Sequence, residues 1–299
     1  MKDLYSVAGI SKQAVWKSQV KADLRAQASE CVVSHLNHIR KDHKRMGCRK
    51  MYYTPHNFPI GRDTFEQIAF ANGFKLKRKR NTMKTTWSQR VEIHPNLIEG
   101  RNINNINKVF QSDIFYLKVE QKDYYGICIL DVYSRKLLAL HVSQSLFANE
   151  NVKALKQVLK TRKKDTLSDC IFHSDRGTQY ISKAHKELLI ANNMQISMCK
   201  LPQENAYVER MNGIIKNEYF HEMVLTRENI LRKTKEAMNL YNNHRPHSQL
   251  NMMTPTAFEQ YILKLGDKQR PELNIYKWST GLSTLNQVIN KEQRSKKEI

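Results

Sequence analysis

From Phe110 onward, apolar and polar positions alternate as they do in strands, over Asp113 to Val119, Tyr124 to Asp131 and Lys136 to Val142. The gaps between these runs, QKD and YSR, are short and polar, so the three predict an antiparallel meander. The spacing then lengthens: Val152, Leu155, Val158 and Leu159 recur at helical intervals and predict a helix over Ala148 to Lys163. A strand over Asp169 to His173 follows, then a helix over Ser182 to Ala191 and a short strand over Gln195 to Ser197. Pro202 opens a long helical pattern, PQENAYVERMNGIIKNEYF, and 227–243 reads as a last amphipathic helix ending in NNHRPHSQL. Strands first, then alternating helices and strands, predict an α/β domain with a mixed sheet flanked by helices.

The stretch before Phe110 is helical in a different way. Residues 5–21 have the grammar of a small helix-turn-helix, with Gly9 at the turn, Ser11 as cap and Ala14, Val15 and Val20 facing inward. Lys12, Gln13, Lys17 and Gln19 would then face DNA; an ordinary helical hairpin fits the same residues. A further helix is expected from Leu24 to Lys41. Another follows Gly61, with Phe65, Ile68 and Ala69 inside and Gly73 as its stop. The cluster Lys75, Lys77, Arg78, Lys79 and Arg80 comes next, either a strip that grips phosphates or a solvated linker. Residues 81–108 show no long regular pattern, which places a boundary near Asn102 to Lys108. The expected organisation is a basic helical DNA-binding region with linker over 1–107, a catalytic domain over 108–262 and a basic tail over 263–299.

Charge sharpens this picture. The 299-residue chain carries 50 Lys and Arg against 28 Asp and Glu, a net +22. Residues 1–107 hold 20 bases and 8 acids, whereas 108–260 hold 22 and 16, so the front part is suited to a polyanion and the middle to something more local. No apolar run reaches the roughly 18 residues of a membrane span, and MKDLYSVAGISKQ lacks the apolar segment of a secretory signal. The expected compartment is the cytoplasm. Five cysteines without a CxxC pair read as thiols in a reducing setting. Cys31, His35, His38, His43 and Cys48 have zinc-ligand chemistry but lack the second close pair of a structural site.

Three acids stand out. Asp175 follows the apolar run CIF within HSDRGTQY, at the tip of a predicted strand, where open α/β sheets build their sites. Asp113 lies on the first strand and Glu209 on the long helix, with 61 and 33 intervening residues. Carboxylates converging from separate elements repel unless cations lie between them, which points to divalent metal. Asp131 also ends an apolar strand, but the turn residues after it favour a backbone-capping role. His173 fits an acid–base role or packing near the site, and Arg176 is placed to touch phosphate. Asn205 is placed to orient the acids or touch DNA. His244, Arg245 and His247 flank Pro246 in a turn that suits a DNA or subunit contact as well as plain structure.

The blocks FQSDIFYL, ILDVYSRKLLA, HSDRGTQY, ENAYVERMNGIIKNE, YNNHRPHSQL and TPTAFE, in this order, resemble those of the transposases encoded by the downstream frame of two-frame insertion sequences. The catalytic domain of that family is similar to that of retroviral integrases and has a ribonuclease-H-like fold. The resemblance covers roughly residues 35–260. It implies that Asp113, Asp175 and Glu209 are a metal-binding Asp-Asp-Glu triad and that Lys216 is the basic residue on the same helix. The chain departs from the family at Phe110, where Trp is usual, at Phe115, where Thr is usual, and in a shortened loop KLPQENA with Glu204 at an acid position. Those departures bear on packing and loop length.

The resemblance further implies two Mg²⁺ or Mn²⁺ ions, cleavage that frees a 3′-OH at the element's end, and attack of that hydroxyl on a second phosphodiester. A circular form of the element would precede insertion. The implied partners are double-stranded DNA, further copies of the chain assembled on it, and an upstream-frame product, as a partner or as a fusion. Two other readings are a structure-selective nuclease on the same fold and a non-catalytic DNA-binding protein descended from a transposase.

Overall fold

The computed structural model describes residues 11–76 and 94–275. The chain divides into two compact units, Met1–Thr82 and Met83–Ile299.

In the first unit, helix α1 spans Lys12–Asp42, followed by α2 (Cys48–Met51) and α3 (Arg62–Ala71). Ser11 caps α1, its Oγ accepting from the Ala14 N–H at 3.1 Å, as expected. The expected break near Val20 to Leu24 is absent, so one helix replaces the second half of the predicted hairpin and the helix after it. No Gly or Pro interrupts Lys12–Asp42, and Ala, Lys, Gln and Arg supply strong helical propensity there. Gly9 lies outside the described residues. Only the C-terminal part of α1 is covered: Val32, Leu36 and Ile39 pack with Met46, Met51, Phe65 and Ala69.

The second unit is built on a five-stranded sheet. Strand β1 (Asn102–Ile103) precedes β2 (Val109–Val119), β3 (Lys122–Asp131) and β4 (Leu137–Ser143); α4 (Ala148–Thr161), β5 (Ile171–Ser174), α5 (Lys183–Ile190) and β6 (Gln195–Met198) follow. The sheet order is β4-β3-β2-β5-β6. Its first three strands are the expected antiparallel meander, and β5 and β6 add on in parallel. β2 begins at Val109 rather than Asp113, because Val109, Phe110, Gln111 and Ser112 are all buried and pair with β5.

Helix α6 (Ala206–Ile214) runs directly into a π-helical turn, Ile215–Tyr219, and is followed by α7 (Ile230–His244), α8 (Pro255–Lys264) and β7 (Leu273–Asn274). One sheet face packs Phe115, Val119, Cys128 and Leu140 against Val208, Met211 and Ile215 of the α6 path and Ala237 and Tyr241 of α7. The other packs Phe110, Ile127 and Phe172 against Ala154, Leu155 and Val158 of α4 and Leu189 of α5. This is a mixed sheet flanked by helices, the ribonuclease-H-like α/β architecture. Gly126 lies in register with Phe115, and a Cβ there would stand 2.2 Å from the ring, so only glycine admits the aromatic side chain. β7 pairs with β1 and ties residues 273–274 to the entrance of β2. Among the described residues no helix is long and apolar enough to cross a membrane.

Candidate active site

Two strands and one helix carry the three acids. β2 and β5 run parallel with Gln111 beside His173 and Ser112 beside Ser174. One further step along both strands sets Asp113 next to Asp175. Asp175 is the first residue beyond β5, and its Oδ1 accepts from the Gly177 N–H at 3.0 Å. A Cβ on Gly177 would stand 3.0 Å from the same oxygen, so the missing side chain leaves room for that turn. Glu209 lies in the first turn of α6, exposed, where the helix dipole favours an acid.

The carboxyls share one electrostatic field. Burial, then the neighbouring Asp175 and Glu209 charges, push the Asp113 carboxyl up to about 7, against a hydrogen bond from Asn212 Nδ2 to its Oδ2 at 2.8 Å. Burial, then Asp175, raises Glu209, and burial raises Asp175. A divalent cation would relieve that repulsion. Three carboxylates are also the hard oxygen donors Mg²⁺ and Mn²⁺ prefer, and Asn212 Oδ1 is buried without a partner. The residues therefore fit such an ion, although among the described residues no three His, Cys, Asp or Glu side chains are gathered closely enough to enclose one.

A polar clasp joins α6 to β2. Gln111, fully buried, donates from Nε2 to the Glu204 carbonyl at 2.9 Å and accepts at Oε1 from the Val208 N–H at 3.2 Å. Asn205 Nδ2 donates to the Ser112 carbonyl at 3.1 Å. Glu204 turns its carboxylate back onto the Lys200 and Leu201 N–H groups, which ties off the shortened loop. Gln111 did not emerge from the sequence pattern. The available signal was a glutamine two residues before Asp113, on the same face of an otherwise apolar strand.

Among the other predicted residues, Asp131 caps the turn after β3, accepting from the N–H groups of Asn107, Tyr133 and Ser134. His173 is buried, its Nδ1 2.8 Å from Ser197 Oγ, and burial drives it down to about 4, so the ring is neutral and packs behind the site. Arg176 is exposed and donates from Nε to the Cys199 carbonyl at 3.0 Å. Lys216 is half-exposed on the π-helical turn, so its direction differs from that of a regular helix continued past Ile214.

Two expected DNA contacts need correction. Arg245 is 2% exposed and holds Glu218 through Nε at 2.9 Å and Nη2 at 2.8 Å, which spends its charge inside the fold. Asn205 is 1% exposed and spends its amide on the Ser112 carbonyl, which leaves it no surface to offer DNA. In the first unit Lys12, Lys17 and Lys75 are exposed. Lys77, Arg78, Lys79 and Arg80 lie outside the described residues.

Residues 104–201 and 193–255 each match an integrase core domain family. The transposase of insertion sequence IS3A from Escherichia coli (strain K12) is 31% identical over 211 residues, covering 68% of this chain and 72% of that one. The chain belongs to the integrase-core family of insertion-sequence transposases. A putative transposase of IS986/IS6110 from Mycobacterium tuberculosis (strain CDC 1551 / Oshkosh) is 24% identical over 236 residues, covering 75% of this chain and 84% of that one. Among solved structures, the HTLV-2 integrase catalytic core domain in complex with magnesium matches with a TM-score of 0.43 and 19% identity, over 52% of this chain and 97% of that one. The family match spans the strands and helix that carry Asp113, Asp175 and Glu209.

Proposed function

We propose that the chain is the DNA transposase of an insertion sequence, cleaving at 3′ ends and transferring the freed strand at a site formed by Asp113, Asp175 and Glu209. The observation that carries this reading is the parallel register of β2 and β5, which brings Asp113 beside Asp175, with the helix of Glu209 held against Asp113 through Asn212. Two divalent cations, Mg²⁺ or Mn²⁺, would supply the charge that activates the attacking oxygen and stabilises the leaving 3′-oxygen. In the first step water forms the new bond to phosphorus and the 3′-oxygen departs as a hydroxyl. In the second, that hydroxyl attacks another phosphodiester and displaces its 3′-oxygen, which leaves protonated.

The protein's own part is to hold and aim. Asn212 steadies one oxygen of Asp113, and the Gly177 N–H steadies one of Asp175. Lys216 and Arg176 would hold phosphate close to the cut. Residues 1–107 would grip duplex DNA through Lys12, Lys17, Lys75, Lys77, Arg78, Lys79 and Arg80, with chemistry over 108–262 and a basic tail over 263–299. Joining two ends calls for more than one copy on the DNA.

Asp113→Asn tests the reading. The variant should retain DNA binding while cleavage and joining of a pre-cleaved 3′-OH duplex in Mg²⁺ fall by about 10³-fold or more. Activity equal to that of the unaltered chain would remove the triad; cleavage by the unaltered chain without joining would favour a nuclease.

A further inference from the structure

The triad reading leaves open what sets Glu209 at its distance from the aspartates. Glu209 is on a helix and Asp113 on a strand, and their separation depends on how far α6 slides along and rolls against β2. The hydrophobic side chains that this helix and the π-turn after it pack on the sheet, Val208, Met211 and Ile215, hold it there without direction. The first turn of a helix also leaves N–H groups without intrahelical partners, which a buried terminus must satisfy from outside. Here the partner is a side chain of the strand. Gln111 fills both of its hydrogen-bonding ends on the α6 entrance, the Val208 N–H and the Glu204 carbonyl, and it is 0% exposed.

Three facts make Gln111 more than a satisfied core amide. It lies two residues before Asp113 and so on the same face of the same strand. Val208 adjoins Glu209, so the bond to its N–H acts one residue from the acid. A second pair, Asn212 to Asp113, fixes the same helix one turn further along. Gln111's two directional bonds, with that of Asn205 beside them, at one end and Asn212's at the other define both slide and roll.

We propose that Gln111 is a positioning residue for the metal site: its bidentate amide pins the α6 entrance to β2 and so sets Glu209 against Asp113 and Asp175. The inference rests on the triad reading and names the residue that holds the triad's third member in place. Loss of the amide leaves the strand and the helix intact but lets Glu209 drift. Residues that orient metal ligands from outside typically matter by about 10–100-fold in metal affinity.

The test is Mn²⁺ binding to the metal-free full chain, followed by electron paramagnetic resonance, with the thermal midpoint measured in parallel. Gln111→Met keeps the length and removes both bonds; Gln111→Asn keeps the amide but is one methylene too short to reach both partners. Both should weaken Mn²⁺ about tenfold or more at temperatures where the protein is folded. Ile262→Ala, a core truncation on α8, should lower the midpoint and leave Mn²⁺ affinity unchanged. If Gln111→Met does not fold, Gln111→Asn carries the comparison. Wild-type affinity in the folded Gln111 variants, with Asp113→Asn impaired, overturns the positioning role alone. Equal affinity in wild type and Asp113→Asn overturns the triad, and this inference with it.

Discussion

Asp113 sits in a strand that would be easier to fold without its charge. Its carboxyl is pushed up to about 7 by burial and by Asp175 and Glu209, whereas an ordinary aspartate titrates near 3.8. A folded-state pKa above the unfolded one means that the native chain binds the proton more tightly. Its stabilising effect is full below about 4 and is lost as pH rises through about 7. In the absence of metal, Asp113→Asn should therefore unfold later than the wild type at pH 8, by about 1–2 kcal/mol, with the difference closing toward pH 4. Mg²⁺ should reverse the order at pH 8, because binding stabilises only the chain that binds it. Denaturant titrations at both pH values, with and without Mg²⁺, provide the measurement; a metal-free variant no more stable than wild type at pH 8 would contradict the electrostatic account.

At the scale of elements, Glu259 of α8 gathers Ser134, Lys136 and Arg162 into one polar cluster. It is 5% exposed and accepts from Ser134 Oγ at 2.9 Å, Lys136 Nζ at 2.8 Å and Arg162 Nη1 at 3.1 Å. It thus ties the turn after β3 and the end of α4 to α8. Burial pushes its carboxyl up, but Arg162 and Lys136 outweigh that and hold it below the usual range. The sign is the reverse of that at Asp113: stability from Glu259 is present above its unfolded pKa and is lost as pH falls through the folded one. Glu259→Ala leaves Arg162, whose side chain is 12% exposed, without its carboxylate and should cost about 3 kcal/mol at pH 7 in urea unfolding, with a smaller penalty in strong acid. An equal penalty at both pH values would mean that packing, not charge, is what was removed.

Elements were the most legible level of the chain. The gaps QKD and YSR marked the meander because polar turn residues interrupt apolar strands, and the apolar run CIF delivered Asp175 to a strand tip. The hairpin expected over 5–21 and the helix expected from Leu24 differ from α1 because, among the described residues, its first half has no buried face: propensity sustains it, and hydrophobic spacing does not report propensity. The sequence leaves Arg245 open between a DNA contact and plain structure for a related reason. Its partner Glu218 lies on a different element, and nothing local in HRPH distinguishes a basic residue that points inward from one that points out. Gln111 was overlooked because a polar residue within an apolar strand carries no label until its partners are seen.

Taken as a whole, the molecule sets a charge of +22 on a frame whose site needs only a few cations nearby. Each lysine or arginine that displaces a counterion from duplex DNA should contribute about 0.9 to the slope of log affinity against log salt. Replacing Lys75, Lys77, Arg78, Lys79 and Arg80 together by Ala should lower that slope by about 4 if the strip lies on phosphate, and leave it unchanged if the strip is a solvated linker. Affinity measured for one duplex across a series of salt concentrations decides between them. Joining of a pre-cleaved end at saturating DNA should survive the change, since no residue of the triad is touched.

The π-helical turn at Ile215–Tyr219 has an evolutionary corollary. Such a turn is a regular helix with one surplus residue taken up locally, so excising Asn217 alone should restore ordinary winding there and leave the residues beyond it on the faces they now occupy. Glu209 lies upstream and would keep its orientation, and Glu218 would stay within reach of Arg245, while Lys216, inside the turn, would be re-aimed. Selection thus has in this helix a joint at which one basic side chain can be turned and the acid left untouched.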